Sequence, residues 1–513
     1  MKTAGREYQK GLFDATLVSC FQRACNERGD REFFTDPTLR LSGTDCYDQT
    51  IAFASAFNKH GINKGDVIAF LCQSSVLQSV AFFACQILGA VPCCLHVNDT
   101  SSRLSKTLEF VSAKLIIADH ANLDVAQNLA TKQTVISLAD EGASNYVSFL
   151  AGGGYVKTFP QIISSDLGLI LLSSGTTGSP KCVLHTQKTL AATASIGRFV
   201  YDCPSPNDSV IVTMGPSFAA WIHTVLPFVN IAGRIHFDKQ FEPKRFLQTI
   251  QDERISVVPL VPTVWRMVLA SNPQEFDLSN VSCAFFSGEP GSTSLVHNLS
   301  ENFCSNVFTA YLASEGGNAS GVVAGSQILN LSPNATGTPV PGGEVRVINP
   351  EGGLSDTLPT GMIGEVVVRG CSVSPGYLKQ PDLTAVRFID GWWRSGDLGL
   401  IDEKGILFIK GRLDNQINTG AIKVSAEEIE AALLQHPDIQ LVGVVGEPDA
   451  QWGERIEAHI VTKGNLKDGK EVFSFIEDNE LLPRHLWPKA IHFREKLPLG
   501  PTGKLYRKGL QRQ

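Results

Sequence analysis

Leu169-Ile170-Leu171-Leu172-Ser173-Ser174-Gly175-Thr176-Thr177-Gly178-Ser179-Pro180-Lys181 passes from a short aliphatic run into small, hydroxylated and glycine residues and closes on a lysine. The aliphatic part suits a buried strand. Beyond it, glycines let backbone N–H groups turn towards one anion, the hydroxyls add donors, and Lys181 brings a compact positive charge. Together these features suit a phosphate cradle. It is not a P-loop, in which the lysine follows glycine and precedes Ser or Thr, because Pro180 precedes Lys181 and Cys182 follows it. An ordinary Ser/Thr/Gly surface loop remains the alternative on composition alone.

On the N-terminal side, apolar residues at Ile51, Ala54, Phe57 and Ile62 predict a helix over Asp45 to Lys64, ended by Gly61. Val67 to Leu71 reads as a strand, Ser79 to Leu88 as a helix and Lys114 to Ala118 as a strand. Strands alternating with helices predict parallel α/β layers. Gly152-Gly153-Gly154 is either a connector between two such layers or a loop within one. On the C-terminal side, Ser209 to Met214, Ile255 to Val261 and Ala284 to Ser287 continue the alternation, and ligands are expected at the carboxyl ends of such strands. After Leu331, short runs at Gly343 to Ile348 and Glu365 to Arg369, punctuated by Gly and Pro, predict a small barrel or sandwich. Ser425-Ala426-Glu427-Glu428 offers a capping box for a helix carrying Ile429, Ala432, Leu433 and His436 up to Pro437.

The 513 residues, 43% hydrophobic and 19% charged, describe a globular chain of about three or four structural units. A formal net charge of -7 without long basic runs argues against nucleic-acid binding, while local lysines still allow small anions. The twelve cysteines are scattered without CxxC pairs and read as reduced thiols, with Cys93 and Cys94 packed in an apolar region. Met1 to Gly11 lacks a signal-peptide core, and Gln73, Gln78 and Gln86 interrupt the apolar stretch from Val67 to Leu95, so no membrane span is expected. The expected location is cytoplasmic.

The cradle has companions in a fixed order: Ser287-Gly288-Glu289-Pro290, Tyr311-Leu312-Ala313-Ser314-Glu315, Trp393-Arg394-Ser395-Gly396-Asp397, Gly411-Arg412-Leu413-Asp414 and Pro501-Thr502-Gly503-Lys504. In this order and spacing the set resembles the adenylate-forming superfamily of acyl- and aryl-CoA synthetases, adenylation domains and luciferases, from about Asp45 to Lys508. Val445-Gly446-Glu447-Pro448-Asp449 followed by Trp452-Gly453-Glu454 is similar to acyl-CoA synthetases as well. The resemblance implies an α/β fold: an N-terminal AMP-binding domain over 1–412, made of two α/β subdomains and a small β-barrel at about 331–410, and a smaller mobile α+β domain over 413–513.

It also implies roles. Ser173, Ser174, Gly175, Thr176, Thr177, Gly178 and Lys181 would wrap the ATP β- and γ-phosphates, and Glu315 would hold Mg²⁺, a hard cation suited to a carboxylate. Tyr311 would stack on adenine beside the backbone of Gly288, Glu289 and Pro290, and Ser314 would hold the α-phosphate. Asp397 would accept the ribose hydroxyls and Arg412 would add a cationic contact. Lys504 would stabilise charge developing during adenylation, with a basic-tail lysine as the alternative, and Asp414 would be the hinge about which the C-terminal domain turns between half-reactions.

The chain departs from the family pattern at Cys182, Gln187 and Leu312, and in the hinge segment at Asn418 and Ala421; the resemblance implies that Ala421, with Gly420, borders the thiol tunnel. Lys423 stands where an arginine often contacts phosphate, keeping the charge without the fork. Pro216-Ser217-Phe218-Ala219-Ala220-Trp221 aligns with the acyl-pocket helix. Ala219 stands where amino-acid-activating relatives carry aspartate and many CoA ligases carry histidine, which argues against an α-amino acid. Phe218 and Trp221, with Val261 and Trp265, either line an apolar pocket or belong to the core. The reading is an ATP- and Mg²⁺-dependent ligase joining an aryl or medium-length carboxylic acid to coenzyme A. Its rivals load the phosphopantetheine of a separate carrier protein, stop at the adenylate, or bind nucleotide without catalysis.

Overall fold

The computed structural model describes residues 16–138, 146–151, 158–173, 181–288, 291–318, 321–332, 334–419, 422–449, 452–464, 466, 468–499 and 505–511. Gly152 to Gly154, Ser174 to Gly178, Glu289, Pro290, Gly420, Ala421 and Lys504 lie outside the described residues. The chain divides into two compact units, Met1–Val345 with Val368–Trp393, and Arg346–Val367 with Arg394–Gln513.

The first unit holds two sheets. One has six strands in the order Thr134–Ser137, Leu115–Ala118, Val67–Leu71, Val91–Cys94, Leu167–Ser173 and Lys181–Thr186. All neighbours are parallel except the last pair, which is antiparallel. Ile68 to Leu71 and Leu115 to Ala118 are buried on both faces, which is why these strands read as unbroken apolar runs. The other sheet has nine strands in the order Thr338–Pro339, Val322–Ala324, Val307–Tyr311, Cys283–Ser287, Val257–Leu260, Ser209–Val212, Arg234–Phe237, Glu32–Thr35 and Arg40–Ser42. Its interior is parallel and its edges antiparallel.

Helix starts are set by local caps. The expected Asp45 to Lys64 helix is Gly43–Lys59, opened by a capping box between Ser42 and Asp45. The Ser79 to Leu88 helix begins earlier, at Val76, because the Ser75 side chain caps it and the Val76 N–H donates to Asp36 Oδ2 at 2.9 Å. It ends at Gly89, whose φ of 75° is left-handed and where a Cβ would lie 2.7 Å from Ile162. The glutamine that interrupts its apolar face is structural: Gln86 Nε2 donates to the Gly168 carbonyl at 2.8 Å, and Gln86 Oε1 accepts from Gln187 Nε2 at 2.7 Å. Gln86 thereby ties this helix to the strand that leads into the cradle, and Gln187, a departure from the family pattern, ties it to the start of the helix Gln187–Ile196. No helix of the described residues is long and apolar enough to cross a membrane.

The β-rich section supplies Glu344–Ile348, Gly364–Arg369, Phe388–Ile389, Trp392–Ile401 and Leu407–Arg412 to a five-stranded sheet. In the second unit a further sheet runs Ile422–Ser425, Gln416–Thr419, Gly453–Thr462 and Ile439–Asp449, with Ala490–Phe493 parallel to Gly453–Thr462. Helices Ala426–Leu433 and Gly469–Asp478 contribute to a core of Ile429, Val444, Ala458, Ile460, Val472 and Ile476. The capping box expected at Ser425 does not form: the Ser425 hydroxyl donates to Glu427 Oε2 at 2.8 Å and caps no backbone N–H. The helix ends at Leu433, so His436 lies beyond it.

Candidate active site

Ser173 ends one strand and Lys181 begins the next as directly opposed Cα partners of an antiparallel pair, so both ends of the cradle sequence are fixed by sheet pairing. Lys181 Nζ lies 5.8 Å from the centroid of the Tyr377 ring, within reach of a cation–π contact.

Tyr377 also meets Glu315. Its hydroxyl donates to Glu315 Oε1 at 3.0 Å, and burial, followed by the neighbouring carboxylate, pushes the phenol well above its ordinary range. The backbone around Glu315 is held too. The Ser374 N–H donates to the Glu315 carbonyl at 2.7 Å, the Ser372 hydroxyl donates to the Gly316 carbonyl, and the Ser374 hydroxyl donates to the Leu184 carbonyl at 2.7 Å. Residues 372–377 therefore bind the Glu315 turn to the strand that begins at Lys181.

Ser314 is fixed from the same strand, since its carbonyl accepts from His185 Nε2 at 2.8 Å. A carbonyl can only accept, so the proton sits on Nε2. Burial lowers the His185 pKa to about 4 and keeps the ring neutral. Gly288 and Tyr311 stand at the carboxyl ends of the adjacent parallel strands Cys283–Ser287 and Val307–Tyr311, where Ser287 and Ala310 are Cα partners. Of the residues that the sequence motifs single out, the structure brings Lys181, Ser314 and Glu315 together, through His185, Ser372, Ser374 and Tyr377, which the motifs do not single out. The Pro375-Gly376 turn before Tyr377 was the available signal.

The acyl-pocket candidates separate. Trp221 has no accessible surface and packs edge-on against Phe82 at 5.0 Å, and Trp265 is buried against Phe303 with its indole N–H on the Phe285 carbonyl. Both are core side chains, a correction to the pocket expectation for Trp221: the helix Ala219–Asn230 turns that face into the core. Phe218 and Ala219 are half-buried, and Phe218 lies 5.2 Å from the ring of His96, whose Nδ1 pairs with Ser217 Oγ at 2.9 Å.

In the second unit, Asp397 and Arg412 are Cα partners on paired strands, and Arg412 Nη1 lies 2.6 Å from Asp397 Oδ1. Glu365 supports them by accepting from the Gly396 N–H at 3.1 Å and from Arg394 Nε at 2.8 Å. Asp414 lies in the single turn Leu413–Asn415 immediately after Arg412. Lys423 is exposed and 3.4 Å from Glu351, a surface pair of little energetic weight. Among the described residues one cluster has metal-ligand proximity, Glu457, His459 and His492. Its donor set does not suit a cation: Arg494 Nε donates to His459 Nδ1 at 3.3 Å, which leaves the proton on Nε2, and Arg455 neutralises Glu457 at 2.6 Å.

A family model described as AMP-binding enzyme matches residues 21–378, and one described as AMP-binding enzyme C-terminal domain matches 428–504. The chain belongs to the AMP-binding enzyme family. Among the relatives of this AMP-binding enzyme, 4-coumarate–CoA ligase of Vanilla planifolia is 30% identical over 480 residues, covering 89% of this chain and 85% of the relative. A 4-coumarate–CoA ligase 2 of Nicotiana tabacum is 29% identical over 477 residues, covering 89% and 86%. Among solved structures, ATP-bound MatB from Rhodopseudomonas palustris superposes with a TM-score of 0.86 at 25% identity, covering 96% of this chain and 98% of that one. The fold is that of the adenylate-forming enzymes.

The donor chemistry on the AMP-binding enzyme's first unit fits magnesium. Glu315 offers a carboxylate, with two oxygens and about four lone-pair sites, to one oxygen of which the Tyr377 hydroxyl donates, and Mg²⁺ favours one or two carboxylates with its remaining positions on phosphate and water.

Proposed function

We propose that this chain is an ATP- and Mg²⁺-dependent ligase that joins an aryl or medium-length carboxylic acid to coenzyme A. In the first half-reaction a carboxylate oxygen bonds to the α-phosphorus of ATP, the bond from that phosphorus to the bridging oxygen breaks, and pyrophosphate leaves. In the second, the thiol sulfur bonds to the acyl carbon, the acyl–oxygen bond breaks, AMP leaves and the thiol proton passes to solvent. The problem in both is alignment and charge neutralisation.

The observation that carries the reading is the joined set of Lys181, Tyr377, Glu315, Ser314 and His185 in the first unit. Lys181 with Ser173 to Gly178 would hold the outer phosphates, Glu315 the Mg²⁺, Ser314 the α-phosphate, and Tyr311 with Gly288 to Pro290 the adenine. Asp397 and Arg412 would take the ribose, Lys504 the developing charge, and Gly420, Ala421 and Lys423 the thiol approach. Phe218 and Ala219 would face the acid. Residues 413–513 would turn about Asp414 as a domain separate from 1–412. The relatives named as CoA ligases support coenzyme A as acceptor, and twelve free thiols support a reducing, cytoplasmic location.

The test is to incubate the full chain with ATP, Mg²⁺ and a panel of cinnamic, benzoic and medium-chain fatty acids, with and without coenzyme A, following pyrophosphate, AMP and thioester. Thioester and AMP dependent on coenzyme A are expected. Adenylate that coenzyme A does not discharge would replace this acceptor with a carrier protein or end the reaction at the adenylate, and silence with every acid would overturn the substrate class.

A further inference from the structure

The residues on either side of 500–504 are held closely. Leu499 and Leu505 form an antiparallel bridge, and the Tyr506 N–H donates to the Pro498 carbonyl at 2.8 Å. Leu505 packs against Val445, Val461, Leu497 and Leu510. Two residues further on, Arg507 Nη2 lies 2.6 Å from Glu430 Oε2 and 3.2 Å from Glu427 Oε1, while Glu430 Oε1 accepts from the Val444 N–H at 2.8 Å. Glu427 and Glu430 are three apart on one helix, so without a shared cation they would repel each other. The planar guanidinium, always charged, answers both.

Glu427 has a second set of partners. Its Oε1 accepts from Asn415 Nδ2, and its Oε2 accepts from the Ser425 hydroxyl at 2.8 Å. Asn415 closes the turn Leu413–Asn415. The backbone leading into that turn lies against the same groups: Gly411 has φ 145°, and a Cβ there would fall 2.1 Å from Ser425 Oγ and 2.8 Å from Glu427 Oε2. One carboxylate thus touches both the turn after Arg412 and the arginine that follows 500–504.

We propose that Glu427 and Arg507 are positioning residues that tie the Leu413–Asn415 turn to the base of the 500–504 segment, so that a change at either end is felt at the other. The inference rests on the reading above, in which Lys504 acts in adenylation and Asp414 is the hinge. A shared, part-buried polar network has few alternative arrangements in which every member keeps a partner, which is what lets it transmit position.

Hydrogen exchange on the full chain tests the tie without a substrate. In Arg507→Gln, faster exchange at 505–511 should be accompanied by about tenfold faster exchange at 413–419, on the far side of Glu427. In Arg484→Gln, which removes a surface pair with Glu477 in the same unit, neither should change. Loss of protection confined to 505–511 would overturn the proposal. With the acid that turns over best in the panel above, Arg507→Gln and Glu427→Gln should lower pyrophosphate release about tenfold or more. Thioester formation from supplied acyl-adenylate and coenzyme A should stay within about twofold, and Arg507→Lys should recover part of the loss. Equal loss of both half-reactions would mean general destabilisation and overturn it. Lys504→Ala, run beside them, separates the two readings: if it releases pyrophosphate normally, the role of Lys504 fails, and the exchange result alone then decides the tie.

Discussion

Tyr377 gives its hydroxyl hydrogen to Glu315 and its ring face to Lys181, so one side chain orients a carboxylate and an ammonium together. Tyr377→Phe keeps the ring and loses the donor. The Mg²⁺ concentration for half-maximal pyrophosphate release should then rise about tenfold, with little change in rate at saturating Mg²⁺. An unchanged Mg²⁺ dependence would remove Tyr377 from this role. His185 and His223 give a second prediction, since burial lowers their pKa values from 6.5 to about 4 and about 3. As pH falls below about 6.5 the unfolded chain takes up protons that the folded chain refuses, so stability is full above that pH and declines towards about pH 4. Urea midpoints equal at about pH 7 and about pH 5 would refute it. At this scale the sequence motifs single out Glu315 and Lys181 because both stand in short, ordered runs. They do not reveal Tyr377 or His185, whose partners lie 62 and 129 residues away and depend on how strands are brought together.

The helix Val76–Leu88 and the strand Leu167–Ser173 are joined through Gln86, which answers the Gly168 carbonyl and the Gln187 amide. Gln86→Ala strands both buried partners and should cost about 1–3 kcal/mol, read as a lower denaturant midpoint at unchanged slope. A shift near zero would mean that water replaces the amide. Element identity in these layers is legible because buried parallel strands are short aliphatic runs and helices carry a wider apolar face. Ends are less so: Ser75 begins its helix three residues before Gln78 through a side-chain cap, while Ser425, with equally suitable neighbours, gives its hydroxyl to Glu427. Both stretches offer the same capping chemistry, and the choice rests on which acceptor the fold brings nearest.

Across the whole chain, the proposed turning of residues 413–513 about Asp414 separates the two half-reactions. Asp414→Pro, which fixes the backbone at that point, should lower coenzyme A-dependent thioester formation by about a hundredfold, far more than it lowers pyrophosphate release. Parallel losses would refute the hinge. Length and alternation disclose the α/β architecture, whereas the β-rich section interleaves strands from distant stretches, Glu344–Ile348 and Trp392–Ile401 among them, whose grouping depends on pairing partners rather than local pattern. The twelve free cysteines carry a last consequence. Burial raises the thiols of Cys72, Cys85, Cys93 and Cys283 far above their ordinary range, which makes them inert while the fold is closed. Opened, the same sulfurs become ordinary thiols at high local concentration, and dissolved oxygen can cross-link them into chains that no longer refold. For these buried sulfurs air is a trap that only the unfolded molecule can enter, while the exposed Cys203 and Cys371 meet it in the folded state as well, and a reductant in the buffer should turn a one-way thermal transition into one that can be retraced.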